Sequence, residues 1–137
     1  MKQATVAVFA FAASLEAAAL ADPGGYATEL ASLVNRYRAS VNAPALVLEA
    51  PLSELAREHS AAMMRAKRLG HDDFKDRFRR SGYSMCVENV GWNYLTPKDQ
   101  FNAWRASPGH DRNLLDARVT HAGIGVTGDY VTLIACR

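Results

Sequence analysis

Two apolar, β-branched runs close the chain, His121 to Thr127 and Tyr130 to Cys136, and only Gly128-Asp129 separates them. A two-residue loop containing glycine joins neighbouring strands as a tight hairpin, so the chain is predicted to end in antiparallel β-structure. Upstream the apolar spacing is helical instead. Leu30, Leu33, Val34 and Tyr37 recur at helical spacing and predict a helix over about 26–39. Pro51 suits the first position of a second helix, whose apolar set is Leu52, Leu55, Ala56, Ala62, Met63 and Ala66, with Gly70 as its stop. Asp72 or Asp73 can cap a short third helix that carries Phe74 and Phe78 and ends at Gly82. Tyr83, Met85 and Val87 then alternate like a strand up to Trp92. Thr96 caps, and Pro97 opens, a fourth helix bearing Phe101 and Trp104; Ser107-Pro108 breaks it and caps a short successor through Leu115. These pieces are too short and too segregated for repeated parallel βαβ units, so the predicted class is α+β with an antiparallel sheet.

The 137 residues, 49% of them hydrophobic and 22% charged, suffice for one globular domain. At the N-terminus, Lys2 precedes an apolar stretch from Ala4 to Leu15, and Ala19-Leu20-Ala21 offers a small-x-small cleavage sequence. This is the pattern of a secretory signal peptide, expected over 1–21, with cleavage near Ala21. The apolar run falls short of a membrane span and Glu16 interrupts it, so no transmembrane segment is expected in the mature chain. Glu16 is also the feature that suits an N-terminal helix that stays attached. A linker is drawn over 22–29, beginning Asp22-Pro23-Gly24-Gly25, and the domain over 30–137.

An exported chain meets an oxidising compartment, where Cys86 and Cys136 have an obvious use in a disulfide. The alternatives are a free thiol or a metal-bound Cys86. The formal net charge of +2 argues for neither nucleic acid nor an anionic membrane as partner. The basic stretch from Arg65 to Arg80 carries no nucleic-acid motif and is expected to be a solvated surface.

Among the histidines, His59 lies on the apolar face of the second helix and is expected to be a hydrogen-bonded core residue, while His121 begins a strand. His71 sits in a loop after Gly70. His110 occupies the third position of a helix capped by Ser107, where the positive end of the dipole disfavours imidazolium. A neutral imidazole there can hold a metal or accept a proton; equally, Ser-Pro-Gly-His can be no more than a sharp turn between helices. Glu88 lies in the apolar run Val87 to Val90, where an unpaired carboxylate is costly to bury, so it needs a partner. Two histidines and a glutamate are a familiar zinc set, but the close spacing of HExxH is absent.

Four stretches carry a family resemblance: GHDDF at 70–74, ENVGW at 88–92, WRASPGHDRNLL at 104–115 and HAGIGV at 121–126. In this order and spacing the chain resembles the bacterial branch of the CAP superfamily, the cysteine-rich secretory, antigen five and pathogenesis-related proteins, from about Leu30 to Cys136. The resemblance implies an α-β-α sandwich with a small antiparallel sheet between helical layers. It also implies a cleft of two histidines and two acids that holds a divalent metal such as Zn2+ in some members. His71, Glu88 and His110 match three of those positions, with Trp104 beside them; Ser107 stands where the second acid is expected. A paired-carboxylate mechanism therefore lacks one partner.

The function implied is a secreted module, extracellular or periplasmic, that binds an extracellular or envelope ligand (a lipid, a peptide or a protein), with Tyr83, Trp92 and Trp104 placed near the cleft. The alternative is a metal-dependent, peptidase-like hydrolase in which His71 and His110 hold the metal and Glu88 ligates it or carries a proton.

Overall fold

The structure, a computed structural model, describes residues 25–137. The signal peptide expected over 1–21, with its expected cleavage point, lies outside the described residues. Among the described residues five helices and four strands follow in the order α1 (Tyr26–Ser40), β1 (Val47–Leu48), α2 (Ala50–Ala66), α3 (Phe74–Ser81), β2 (Cys86–Trp92), α4 (Pro97–Ala106), α5 (Pro108–Leu114), β3 (His121–Thr127) and β4 (Tyr130–Cys136). The helix α1 takes in residues 26–29, which the linker was drawn to include.

The terminal hairpin has the predicted bounds and organises the rest. Its strands β3 and β4 pair antiparallel, β2 joins β4 antiparallel, and β1 adds to β3 in parallel, giving the order β1-β3-β4-β2. The expected antiparallel sheet is thus mixed, because the two-residue β1 runs alongside β3 on its way into α2. Such a short strand leaves no alternation in sequence to detect.

Strand alternation divides the core into two halves. On one face Ala122, Ile124, Val131, Leu133 and Ala135 pack against Leu30 and Val34 of α1, Phe101 and Trp104 of α4, and Leu114 of α5. On the other, Ile134 and Cys136 meet Leu52, Leu55 and Ala56 of α2. Between the inward side chains of β3 stand Gly123 and Gly125. A Cβ on Gly123 would come within 2.0 Å of the Leu52 carbonyl carbon, and one on Gly125 within 2.0 Å of the Arg57 nitrogen, so α2 lies directly on the sheet backbone. The result is the α-β-α sandwich, with α1, α4 and α5 on one side and α2 on the other, α3 packing beside α2.

Local signals set most of the helix ends. Thr96 accepts from the Asp99 N–H at 3.1 Å and Pro97 opens α4. Ser107 does precede α5, but its side chain makes no capping hydrogen bond. The second helix stops at Lys67, in the left-handed conformation at φ 50°, rather than at Gly70. Gly70 instead offers its carbonyl to His59. Cys86 and Cys136 form the expected disulfide, facing each other across β2 and β4.

Candidate functional site

Glu88 lies mid-strand in β2, on the sheet face that also carries Ile134, and is buried with 6% exposure. Its partner comes from α3. Arg77 Nε donates to Glu88 Oε2 at 2.8 Å and Nη2 donates to Oε1 at 2.8 Å, while Nη1 donates to the Asp72 carbonyl oxygen at 2.6 Å. Two parallel charge-assisted bonds occupy both carboxylate oxygens. Arg77 is 5% exposed, so one member of the basic stretch expected to be solvated is in fact buried. That stretch hid the residue on which the site depends. A visible clue remains: Arg77 shares a helix face with Phe74 and Phe78, so a charge on an apolar stripe and a charge in an apolar strand each lacked a partner.

His71, in the loop before α3, approaches the same carboxylate, with Nδ1 2.9 Å from Glu88 Oε1. A carboxylate only accepts, so Nδ1–H donates, and Nε2 is the ring nitrogen turned away from Glu88. The imidazole is half exposed, with 51% of the side chain accessible. Behind Glu88, His59 Nε2 donates to the Gly70 carbonyl at 2.8 Å and lies 3.7 Å from Glu88 Oε1. His59 is therefore the hydrogen-bonded core histidine expected, and it also backs the site.

His110 reaches the same region from the opposite helical layer. Its position is fixed through β2, an edge strand. Asn89 Nδ2 donates to the His110 carbonyl at 3.1 Å, and Asn113 Nδ2 donates to Asn89 Oδ1 at 2.9 Å and to the Glu88 carbonyl at 3.2 Å. The Asn89–Asn113 lock is what joins the EN and SPGHDRN stretches in space, and the sequence spacing did not single it out. Burial first, and then the charge of His71, holds the His110 imidazole below its ordinary pKa. The neutral form is favoured as the helix position predicted, although burial is the principal cause.

Trp104 is 1% exposed and donates Nε1–H to the Val90 carbonyl at 2.8 Å, with its ring 6.5 Å from that of His110. It supports the cleft from within the core. The other two aromatics belong elsewhere: Tyr83 stacks on His121 and donates to Glu49, and Trp92 pairs with Tyr130. Trp92 does end a strand, but Tyr83 precedes β2, which begins only at Cys86, so the strand expected from Tyr83 starts three residues later. A cavity of about 570 Å3 between α2 and α3 is lined by His59 and Arg77 and rimmed by the ion pairs Arg68–Asp72 and Arg80–Glu58; His71, Glu88 and His110 do not line it.

The arrangement does not fit a three-ligand zinc centre. Both Glu88 oxygens are held by a guanidinium, His71 turns Nδ1 toward Glu88, Ser107 supplies no carboxylate, and among the described residues no group of three or more His, Cys, Asp or Glu side chains is disposed to hold a metal. The chemistry the cleft does offer is hydrogen bonding by two imidazoles over a neutralised carboxylate.

One consequence is a pH dependence of stability. His59 and His110 both have pKa values lowered from 6.5, each chiefly by burial. Unfolding below pH 6.5 restores their basicity and takes up protons, so stability falls as pH drops through 6.5 and levels off below the folded-state values. Urea denaturation at a series of pH values from about 7.5 to about 5.5 should show this decline; a flat or rising profile would contradict it.

A sandwich with a histidine pair and a buried glutamate gathered at one sheet edge defines the class of domain. The Cysteine-rich secretory protein family, CAP, matches residues 31–133, and the chain belongs to that family. Among its relatives are two Bacillus subtilis (strain 168) proteins: YlbC, described as an uncharacterized membrane protein, 28% identical over 111 residues, and YkwD, described as uncharacterized, 29% identical over 108 residues. These alignments cover 76% and 73% of this chain but only 32% and 42% of the relatives, so the chain spans well under half of their length. An extracellular protein containing an SCP domain from Bacillus anthracis str. Ames superposes with a TM-score of 0.79 at 26% identity, over 83% of this chain and 41% of that one. An outer surface protein from Borrelia burgdorferi shares the fold, with a TM-score of 0.73 at 17% identity over 80% of this chain and 90% of that one.

Proposed function

We propose that this CAP domain is an exported, partner-binding module whose cleft, walled by His71 and His110, takes a polar segment of an extracellular or envelope peptide or protein. The observation that carries this is the bidentate Arg77–Glu88 pair, which leaves two imidazoles as the accessible hydrogen-bonding groups. Export is supported by the N-terminal pattern, by the disulfide, and by relatives described as extracellular or outer-surface proteins. Among the described residues no helix is long and apolar enough to cross a membrane. The hydrolase alternative asks Glu88 for an oxygen that Arg77 holds, and it gains no support from the donor set.

Two experiments test the proposal. Zinc added to the domain at neutral pH in a calorimeter should give no binding that depends on His71 and His110; uptake abolished by both His71→Ala and His110→Ala would move the cleft to metal chemistry. A peptide library panned with wild type and with both variants should yield sequences retained only by wild type. Equal retention by all three would remove the cleft as the binding surface.

A further inference from the structure

A second cavity lies at the other end of the sheet from the disulfide, and none of its residues belongs to the histidine cleft. It has a volume of about 320 Å3 and is enclosed by the start of α1, the loop between β2 and α4 and the β3–β4 hairpin. Cavities of roughly this size and above hold small ligands, usually against apolar and aromatic walls with a few polar groups. Here the walls are Tyr26, Tyr94 and Tyr130, with Leu95 and Val126 between them.

The loop is fixed rather than loosely draped. Tyr26 Oη donates to the Tyr94 carbonyl at 3.0 Å and lies 3.3 Å from the Thr96 carbonyl, and the Asn93 N–H donates to the Asp129 carbonyl at 2.9 Å. Tyr130 is buried with its ring 6.3 Å from that of Trp92. The electrostatics have one sign. Asp129 is the charged residue among the lining side chains, no Lys, Arg or His lines the cavity, and among the described residues Asp129 has no ion-pair partner. Burial, followed by the carboxylate of Asp99, pushes the Tyr26 phenol up to about 12, so this wall stays uncharged at neutral pH and a second negative charge stands close behind it.

Three phenol rings and an uncompensated carboxylate are a poor setting for an anion and a good one for an organic cation. Aromatic faces attract a substituted ammonium through their quadrupole, and its alkyl groups tolerate the leucine and valine. A bare metal ion would find a single carboxylate among the lining residues, too few anionic oxygens for a hard cation, and a purely apolar guest would bring nothing to Asp129. We propose that this pocket binds a small substituted-ammonium cation between Tyr26, Tyr94 and Tyr130, with Asp129 as its counter-ion.

Trp92 makes the proposal measurable, because it is 50% exposed and pairs with Tyr130, whereas Trp104 is buried in the core. Choline chloride is titrated against tryptophan emission and by calorimetry, in parallel with 3,3-dimethylbutan-1-ol, the uncharged isostere. Saturable binding of choline, with little or none of the alcohol, is expected. Asp129→Asn, a substitution suited to the hairpin turn, should weaken binding about tenfold, and Tyr94→Ala, at an exposed position, should weaken it too. Absent choline binding, equal binding of the neutral alcohol, or an affinity unchanged in both variants would overturn the assignment.

Discussion

Arg77→Met is expected to lower the unfolding free energy by about 3–5 kcal/mol, as removal of one partner from a buried ion pair generally does. The substitution removes three hydrogen bonds, two to Glu88 and one to the Asp72 carbonyl. More costly is what stays behind. Glu88, with 2% of its side chain accessible, would keep only the His71 Nδ1–H bond, with His59 Nε2 3.7 Å away and already committed to Gly70. Replacing both charges changes the comparison: in Arg77→Met with Glu88→Met no charge is left buried, and much of the lost stability should return. Guanidinium denaturation of wild type, both single variants and the double variant closes a cycle whose coupling term isolates the pair. A cost below about 1 kcal/mol for Arg77→Met would mean that water, not the guanidinium, satisfies Glu88. The double variant also tests function, since His71 would lose its carboxylate anchor while the fold recovers.

That pair marks where sequence reasoning succeeded and where it stopped. The hairpin around Gly128-Asp129, the Thr96 cap and the Pro97 helix start were legible because each is decided within a few residues. The need of Glu88 for a partner was legible too, because burial in an apolar run makes an ionised side chain demand one. The partner's identity was not, since Arg77 lies eleven residues away on another element, in a stretch whose remaining charges do face water. Family resemblance placed His71, Glu88 and His110 in one region, and the structure places them around the edge strand β2. Resemblance could not say that a guanidinium occupies the carboxylate. Lys67, which ends α2 at φ 50°, was invisible for another reason: a lysine carries no sequence signal for the left-handed conformation, whereas Gly70, which does, lies three residues further on.

Loss of the Cys86–Cys136 disulfide should cost about 4 kcal/mol on the chain-entropy model, given a sequence separation of 50 residues. For a domain of this size that corresponds to a fall in melting temperature of about 10–20 °C. The bond's placement makes the effect local as well as global. It ties the first residue of β2 to the last of β4, and β2 is an edge strand held on one side only by β4. Glu88 is two residues beyond Cys86, so fraying of that end would reach the Arg77 pair and the His71 bond before it reached the hairpin. Thermal melts with and without reductant, alongside a Cys86→Ala, Cys136→Ala double variant, measure the global term. Hydrogen exchange at the β2 amides measures the local one, and faster exchange at Glu88 and Asn89 than at Ile124 or Leu133 is the expected pattern. A melting temperature indifferent to reduction would show that packing of Cys136 against Leu52 and Leu55, rather than the covalent link, holds this edge of the sheet.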